Sequence, residues 1–249
     1  CAGTAQVRRS PVWRDGSAVF VADLSDADCD GRRLPPVRVR LVGGPPDLVR
    51  GDRLAVVAQL APVRLFRNAE LPDPTLRAAR GGVVLSGGAI AVERLEAGRG
   101  PAALIDRARA HSRRRITASF APAAVPMARA LVLGEDDLDD AEAAAFRLSG
   151  LSHMLAVSGT HLVFAVLGLV AALRSLLVRI EGLAARLDVE RLAAGLGLVL
   201  ALTYADFAGG SGSAWRAAWM LATMLGARAL GRRPSGARAL GLSLVLGAL

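Results

Sequence analysis

Residues 151–173 read LSHMLAVSGTHLVFAVLGLVAAL, 23 residues without an aspartate, glutamate or arginine. A bilayer core of about 30 Å takes about 20 helical residues, so this stretch is long enough to span a membrane. Beyond it, residues 192–205 offer 14 uncharged residues, and 207–229 form another apolar run interrupted by Arg216. Residues 239–249 read as the first half of a further span. The sequence opens on Cys1 without an initial methionine and stops inside that run at Leu249, so it reads as part of a longer chain.

The connections between these runs set an orientation. Arg174, Arg179, Arg186 and Arg191 fall in 174–191, and Arg228, Arg232, Arg233 and Arg238 fall in 228–238, whereas 206–215 holds Asp206 and no arginine. Short arginine-rich loops stay cytoplasmic, so the first two connections are expected inside and residues 1–130 outside. The arginines of 1–130 do not oppose this, because long domains translocate whatever their charge.

Toward the N-terminus the pattern changes. Residues 17–100 alternate short apolar runs with turn signals: SAVFVADL, VRVRLVG, GDRLAVVAQL, GVVLSGG and AIAVERL. In VRVRLV, Val37, Val39 and Leu41 alternate with Arg38 and Arg40, which suits a strand with one buried face. The separators, among them Gly43-Gly44-Pro45-Pro46, Gly81-Gly82 and Gly87-Gly88, read as turns. Short strands at this density suggest a small OB-like β-barrel over residues 1–100, with a piece of a β-sandwich as the alternative. Residues 101–130 read as a basic amphipathic, interfacial helix, or equally as a solvated helix packing on its own domain: Leu104, Ile105, Ala108, Ile116 and Phe120 share one side, opposite Arg107, Arg109, Arg113, Arg114 and Arg115. The acidic patch 135–142 lacks the ligand spacing of a calcium loop, so Asp139 or Asp140 is expected to cap a helix instead.

Composition agrees with a division into parts. The chain of 249 residues is 53% hydrophobic, with a mean hydropathy of +0.39, which excludes disorder and a small disulfide scaffold. Residues 1–150 carry 22 arginines and 18 acids, against 9 and 4 in 151–249, so the second part is charge-poor. All 31 basic residues are arginine, which reads as coding bias before it reads as selection for anion binding, so the net charge of +9 is weak evidence for a polyanionic partner. Cys1 and Cys29 have no metal-ligand spacing, leaving a disulfide as the candidate pairing.

Polar groups inside the first apolar run are the candidate site. His153, Ser158, Gly159, Thr160 and His161 interrupt it, and polar side chains at membrane depth must find partners or face water. A serine hydrolase with Ser158 as nucleophile and His161 as base lacks a carboxylate nearby in sequence to orient the histidine. A metal held by His153 and His161 is disfavoured by about 12 Å of helix between them, so no metal or other cofactor is expected. The remaining reading is a polar lining or a hydrogen-bonded packing site, with Gly159 allowing helices to approach. Further on, Tyr204, Asp206, a glycine break at 209–212 and Arg216 suggest an interrupted helix lining a cavity, or an external loop.

The run LVLGEDDLDDAEAAAFRLSGLSHMLAVSGTHLVF at 131–164 resembles the ComEC family of bacterial DNA-uptake proteins. That family's Gly-Leu-x-His-x-x-Ala-x-Ser-Gly-x-His pattern is carried by Gly150, Leu151, His153, Ala156, Ser158, Gly159 and His161. Tyr204 with Gly209 or Gly210, then Arg216, Ala217 and Met220, look like a second family element, and GDRLAVVAQLAP with Asn68 and Asp73 resembles its OB-like domain. Residues 68–73, Asn-Ala-Glu-Leu-Pro-Asp, depart from the family's Asn-Pro-Gly-x-Phe-Asp, and Thr160 replaces an apolar residue.

The resemblance implies transport rather than catalysis. Its architecture is α+β: an OB-like barrel (1–100), the basic helix linker (101–130) and the N-terminal part of a multi-pass helical domain (131–249) in the inner membrane. Single-stranded DNA would cross beside His153, Ser158, Gly159, His161, Tyr204, Asp206 and Arg216, with the lipid bilayer and other competence proteins as partners. Arg64, Phe66 and Arg67 are the expected strand contacts of the barrel, which is poor in aromatics for stacking. The alternatives are an intramembrane hydrolase using Ser158 and an envelope protein whose barrel docks a partner.

Overall fold

The computed structural model describes residues 1–14, 17–63, 74–135, 138–150 and 159–248. It is α+β and divides into two compact units, one holding Cys1–Ser119 with Glu135, the other Phe120–Gly134 and the helices from Leu138 onward.

The first unit is built on β1 (Ala2–Val7), β2 (Val12–Arg14), β3 (Ser17–Cys29), β4 (Arg32–Leu34), β5 (Val37–Val42), β6 (Arg53–Pro62) and β7 (Leu85–Glu96), with α1 (Pro74–Arg80) before β7 and α2 (Pro101–Ser119) after it. β1 pairs with both β3 and β6, β3 with β5, β5 with β7 and β7 with β6, so five strands close into a ring. Only the β5–β7 pairing of that ring is parallel. Short β2 and β4 extend the two ends of β3.

Period-two patterning produces this ring. Along β3, Ala18, Phe20, Ala22 and Leu24 point inward and are buried, while Val19, Val21, Asp23 and Ser25 alternate outward. Val39 and Leu41 of β5, and Leu54, Val56 and Ala58 of β6, complete the interior. Phe20 is the one aromatic in this fully buried set, and alanines occupy much of the remainder, so the barrel is filled by side chains. A bulge lets β3 serve two neighbours: Asp26, at φ 51°, adds a residue opposite β1, and Gly3 meets Ala27 there too closely for a side chain. Beside it, a disulfide joins Cys1 to Cys29, and the N-terminal ammonium donates to the Ala58 carbonyl at 2.9 Å.

Two local expectations are corrected. GVVLSGG and AIAVERL do not form separate strands around a Gly87-Gly88 turn; they run as the single strand β7. Gly87 lies against the Gln59 carbonyl of β6, where a Cβ has no room, so the glycine serves strand approach rather than chain reversal. In α2, the expected apolar and basic sides are rearranged: Leu104 is 65% exposed, while Asp106 and Arg109 are buried. Asp106 accepts from Ser10 Oγ and from the Arg50 amide, Nε and Nη2 at 2.7–3.0 Å. Arg113 makes a forked pair with buried Glu135 and lies 5.8 Å above the Trp13 ring. Ion pairing across the sequence outweighs the local pattern there.

The second unit contains α3 (Val125–Leu133), α4 (Asp140–Leu148), α5 (Gly159–Val178), α6 (Glu181–Ala184), α7 (Val189–Phe207), α8 (Gly212–Ala229) and α9 (Gly236–Ala248). Asp139 caps α4, its carboxylate accepting from the Glu142 amide at 2.7 Å. Among the described residues, α5 is the one helix long and apolar enough to cross a membrane, with a mean hydropathy of 2.2. It begins at Gly159 and runs past Arg174 to Val178; residues 151–158 lie outside the described part.

Small residues form the interior of α5, α7 and α8. Ala194, Ala201 and Ala205 of α7 meet Ala214 and Ala218 of α8, with Leu162 and Val166 of α5 and Leu221 and Leu225 of α8 filling the centre. Large apolar residues point out: Phe164 is 72% exposed, and Leu169, Leu176 and Val199 are also exposed. This inverts the pattern of a bundle that folds in water.

Candidate functional site

The chain reversal between α7 and α8 positions the polar residues of the helical unit. α7 ends at Phe207, Gly209 and Gly210 take positive φ (89° and 63°), and Ser211 caps α8 by accepting from the Ala214 amide. The Gly210 amide reaches back to the Ala205 carbonyl at 3.0 Å, so the glycines close a helix C-terminus. The glycine-rich stretch is therefore a tight turn between two packed helices. Trp215 sits over it: a Cβ on Gly210 would lie 3.1 Å from the indole nitrogen, and Trp215 stacks on Trp219 with ring centres 5.9 Å apart.

The start of α5 comes to the same end. Gly159 faces α8 so closely that a Cβ there would sit 2.8 Å from the Ala217 methyl. His161 is exposed one residue before buried Leu162, Tyr204 and Asp206 are half-buried on the last turns of α7, and Arg216 is exposed on the first turns of α8. The topology thus gathers Gly159, His161, Tyr204, Asp206 and Arg216 at one end of α5, α7 and α8. The arginine-rich connections after α5 and α8 lie at the other end, where Arg191 packs over Gly231 and pairs with Asp188 at 2.9 Å. His153 and Ser158 fall outside the described residues, as do Arg64, Phe66 and Arg67 in the β6–β7 connection. No group of three or more histidine, cysteine, aspartate or glutamate side chains able to hold a metal occurs among the described residues.

The family model described as Competence protein matches residues 131–248. The match covers just under half of the chain, and over those residues the sequence is similar to the Competence protein family. This competence segment takes in α4, α5, α7 and α8, and with them the whole polar end just described. No curated protein and no solved structure matches the chain. Similarity to the competence family associates the segment with DNA uptake, and its apolar helix α5 with a membrane.

Outside the competence segment, the barrel carries a second charged constellation, which the reading of the sequence did not single out. Asp23 of β3 accepts from Arg38 Nε at 2.7 Å and Nη2 at 3.3 Å, and from Arg8 Nε at 2.7 Å. The Arg38 hydrogen bond, with Arg8 beside it, holds the Asp23 carboxyl below the ordinary carboxylate range, and Asp23 in turn raises the Arg38 guanidinium. The one legible signal was the alternation of VRVRLV, which sends Arg38 and Arg40 outward.

Proposed function

We propose that this chain is an inner-membrane component for the uptake of single-stranded DNA during natural transformation, acting in transport rather than catalysis. The observation that carries the reading is the gathering of His161, Tyr204, Asp206 and Arg216 at one end of a helix group whose sequence matches the competence family. Arginines concentrate at the opposite end, which favours that end as the cytoplasmic one. Outward-facing Phe164, Leu169 and Val199, with alanine-lined helix contacts, favour a lipid surround and a multi-pass bundle comprising α5, α7, α8 and α9.

The barrel belongs on the extracytoplasmic side with residues 1–130. Its five-strand ring, closed by β1 against both β3 and β6, supports an OB-like fold, and the Cys1–Cys29 disulfide suits an oxidising compartment. In this reading the barrel receives the strand, aided by Arg64, Phe66 and Arg67 in its β6–β7 connection, and the strand passes into the bundle beside His153, Ser158, His161 and Arg216. Other competence proteins deliver it.

Uptake of labelled DNA by cells carrying Arg216→Ala or His161→Ala in the intact protein tests this. Loss of uptake with normal membrane insertion is expected; normal uptake in both variants overturns the assignment of this end to the strand path.

A further inference from the structure

A groove of about 670 Å³ crosses the outer face of the barrel, lined from β1, β3, β5 and β6. Three guanidinium groups border it, those of Arg8, Arg38 and Arg53, against one carboxylate, Asp23. Thr4, Gln6 and Ser25 add hydrogen-bonding side chains, and no aromatic ring lines it. Strand register explains the arrangement. Arg38 stands opposite Asp23, Asp23 opposite Gln6, and Gln6 opposite Arg53, so four adjacent strands present one continuous row. With about 4.8 Å between strands, the row extends about 14 Å from Arg38 to Arg53.

We infer that this groove binds the phosphodiester backbone of a single-stranded nucleic acid. Arg8 and Arg38 close on one carboxylate, while Arg53 stands at the far end of the row, so the two ends are placed to meet successive phosphates of an extended polyanion. The groove carries a formal surplus of two positive charges, three arginines less Asp23. Glu96 approaches Arg53 only at 3.9 Å, with both side chains more than half exposed, so that pair is weak. Asp23 holds Arg8 and Arg38 in place, and Arg38 Nη1 also donates to the Gly81 carbonyl at 3.5 Å, yet their side chains remain 51% and 38% exposed, and each guanidinium carries more N–H groups than these bonds use. Without a stacking ring the groove reads charge and backbone, so it holds a strand without regard to sequence. The identity of the polyanion as a single DNA strand rests on the uptake reading; the cationic row does not.

The test is anisotropy of a labelled oligothymidylate with the full chain in detergent micelles, over a range of salt. Arg53→Gln and Arg38→Gln are each expected to weaken binding and to reduce the slope of log affinity against log salt by about 0.7. Asp23→Asn is expected to tighten binding several-fold, a direction that mere loss of structure would not give. Arg32→Gln on β4 serves as the control, with unchanged slope. Arg53 is exposed, so its variant is expected to melt as the parent does; an Arg53→Gln protein that melts normally and keeps the parent slope overturns the proposal. So does a groove whose arginines govern binding to phosphatidylglycerol vesicles and not to the oligonucleotide. If cells lacking the chain still take up DNA while the arginine variants lose oligonucleotide binding, the uptake reading fails and the groove stands.

Discussion

Asp52 shows how much of the barrel depends on one buried carboxylate. It is fully buried and accepts from the Val49 amide at 3.0 Å, the Gly98 amide at 2.7 Å and Arg94 Nε at 3.1 Å. Truncation to alanine would leave two backbone donors without their acceptor and Arg94 without one of its two carboxylates. Asp52→Ala is therefore expected to cost about 3 kcal/mol, read as a lowered midpoint in thermal unfolding followed by strand-region circular dichroism; an unchanged midpoint would contradict this role. Asp23 and Asp47 make a milder case, because water reaches both. Hydrogen bonds from Arg38 and from Arg94, respectively, lower their carboxyl pKa values. A carboxyl whose folded-state pKa is depressed stabilises the fold above its ordinary pKa, and that contribution disappears as pH falls through the folded value. The unfolding midpoint should therefore decline below the ordinary aspartate value of 3.8, and Asp23→Asn should make the decline shallower. An acid limb identical in the variant would remove Asp23 from the account.

At the scale of elements, two glycines on one helix make opposite predictions. Gly197 of α7 faces Val170 of α5 and Leu225 of α8 with no room for a Cβ, whereas the nearest atom to a Cβ on Gly195 is the Ala229 methyl at 4.0 Å. Gly197→Ala should force the helices apart at a cost of about 1–3 kcal/mol, while Gly195→Ala should be neutral or gain up to about 1 kcal/mol from helix propensity. Unfolding of the purified protein in mixed micelles by added SDS separates the two, and equal midpoints would dismiss the close packing at Gly197. The same contrast explains what the sequence made legible. Alternation in β3 and β5 and the apolar run ending in α5 are local patterns, and local patterns survive without knowledge of partners. Gly87-Gly88 reads as a turn from sequence because a glycine that closes a turn and one that admits a neighbouring strand look alike until the neighbour is known. The faces of α2 depart from its local pattern for a related reason: its buried Asp106 and Arg109 answer to Ser10, Arg50 and Glu135, which lie far away in the chain. In the competence segment, the residue types around Gly159 and Arg216 stood out as polar interruptions of apolar runs. Their assembly at one end followed from the α7–α8 turn and from Gly159 against Ala217, neither of which spacing alone supplies. The groove was illegible because Arg8 and Arg53 join the Asp23–Arg38 pair of β3 and β5 only when β1 closes the ring.

For the whole molecule, the proposed multi-pass reading, with its charge distribution and helix polarity, implies a topology that can be measured. If α5, α7 and α8 span the bilayer as proposed, the connection after α5 and the α7–α8 turn must open on opposite sides. The first carries Arg179 and Arg186, with Arg191 in the first turn of α7, and the second carries none between 207 and 215. Arginine-rich short loops resist translocation, so Gly182 belongs to the cytoplasm and Ser211 to the outside. The chain's two cysteines are joined in a disulfide, so a thiol introduced at either position labels without background. Gly182→Cys should react with a membrane-impermeant maleimide only after the cells are opened, and Ser211→Cys should react in intact spheroplasts. Labelling of both positions from the same side would require α7 to lie along the surface rather than across it. That outcome would remove the polar end of the competence segment from any path through the membrane, whatever the barrel binds.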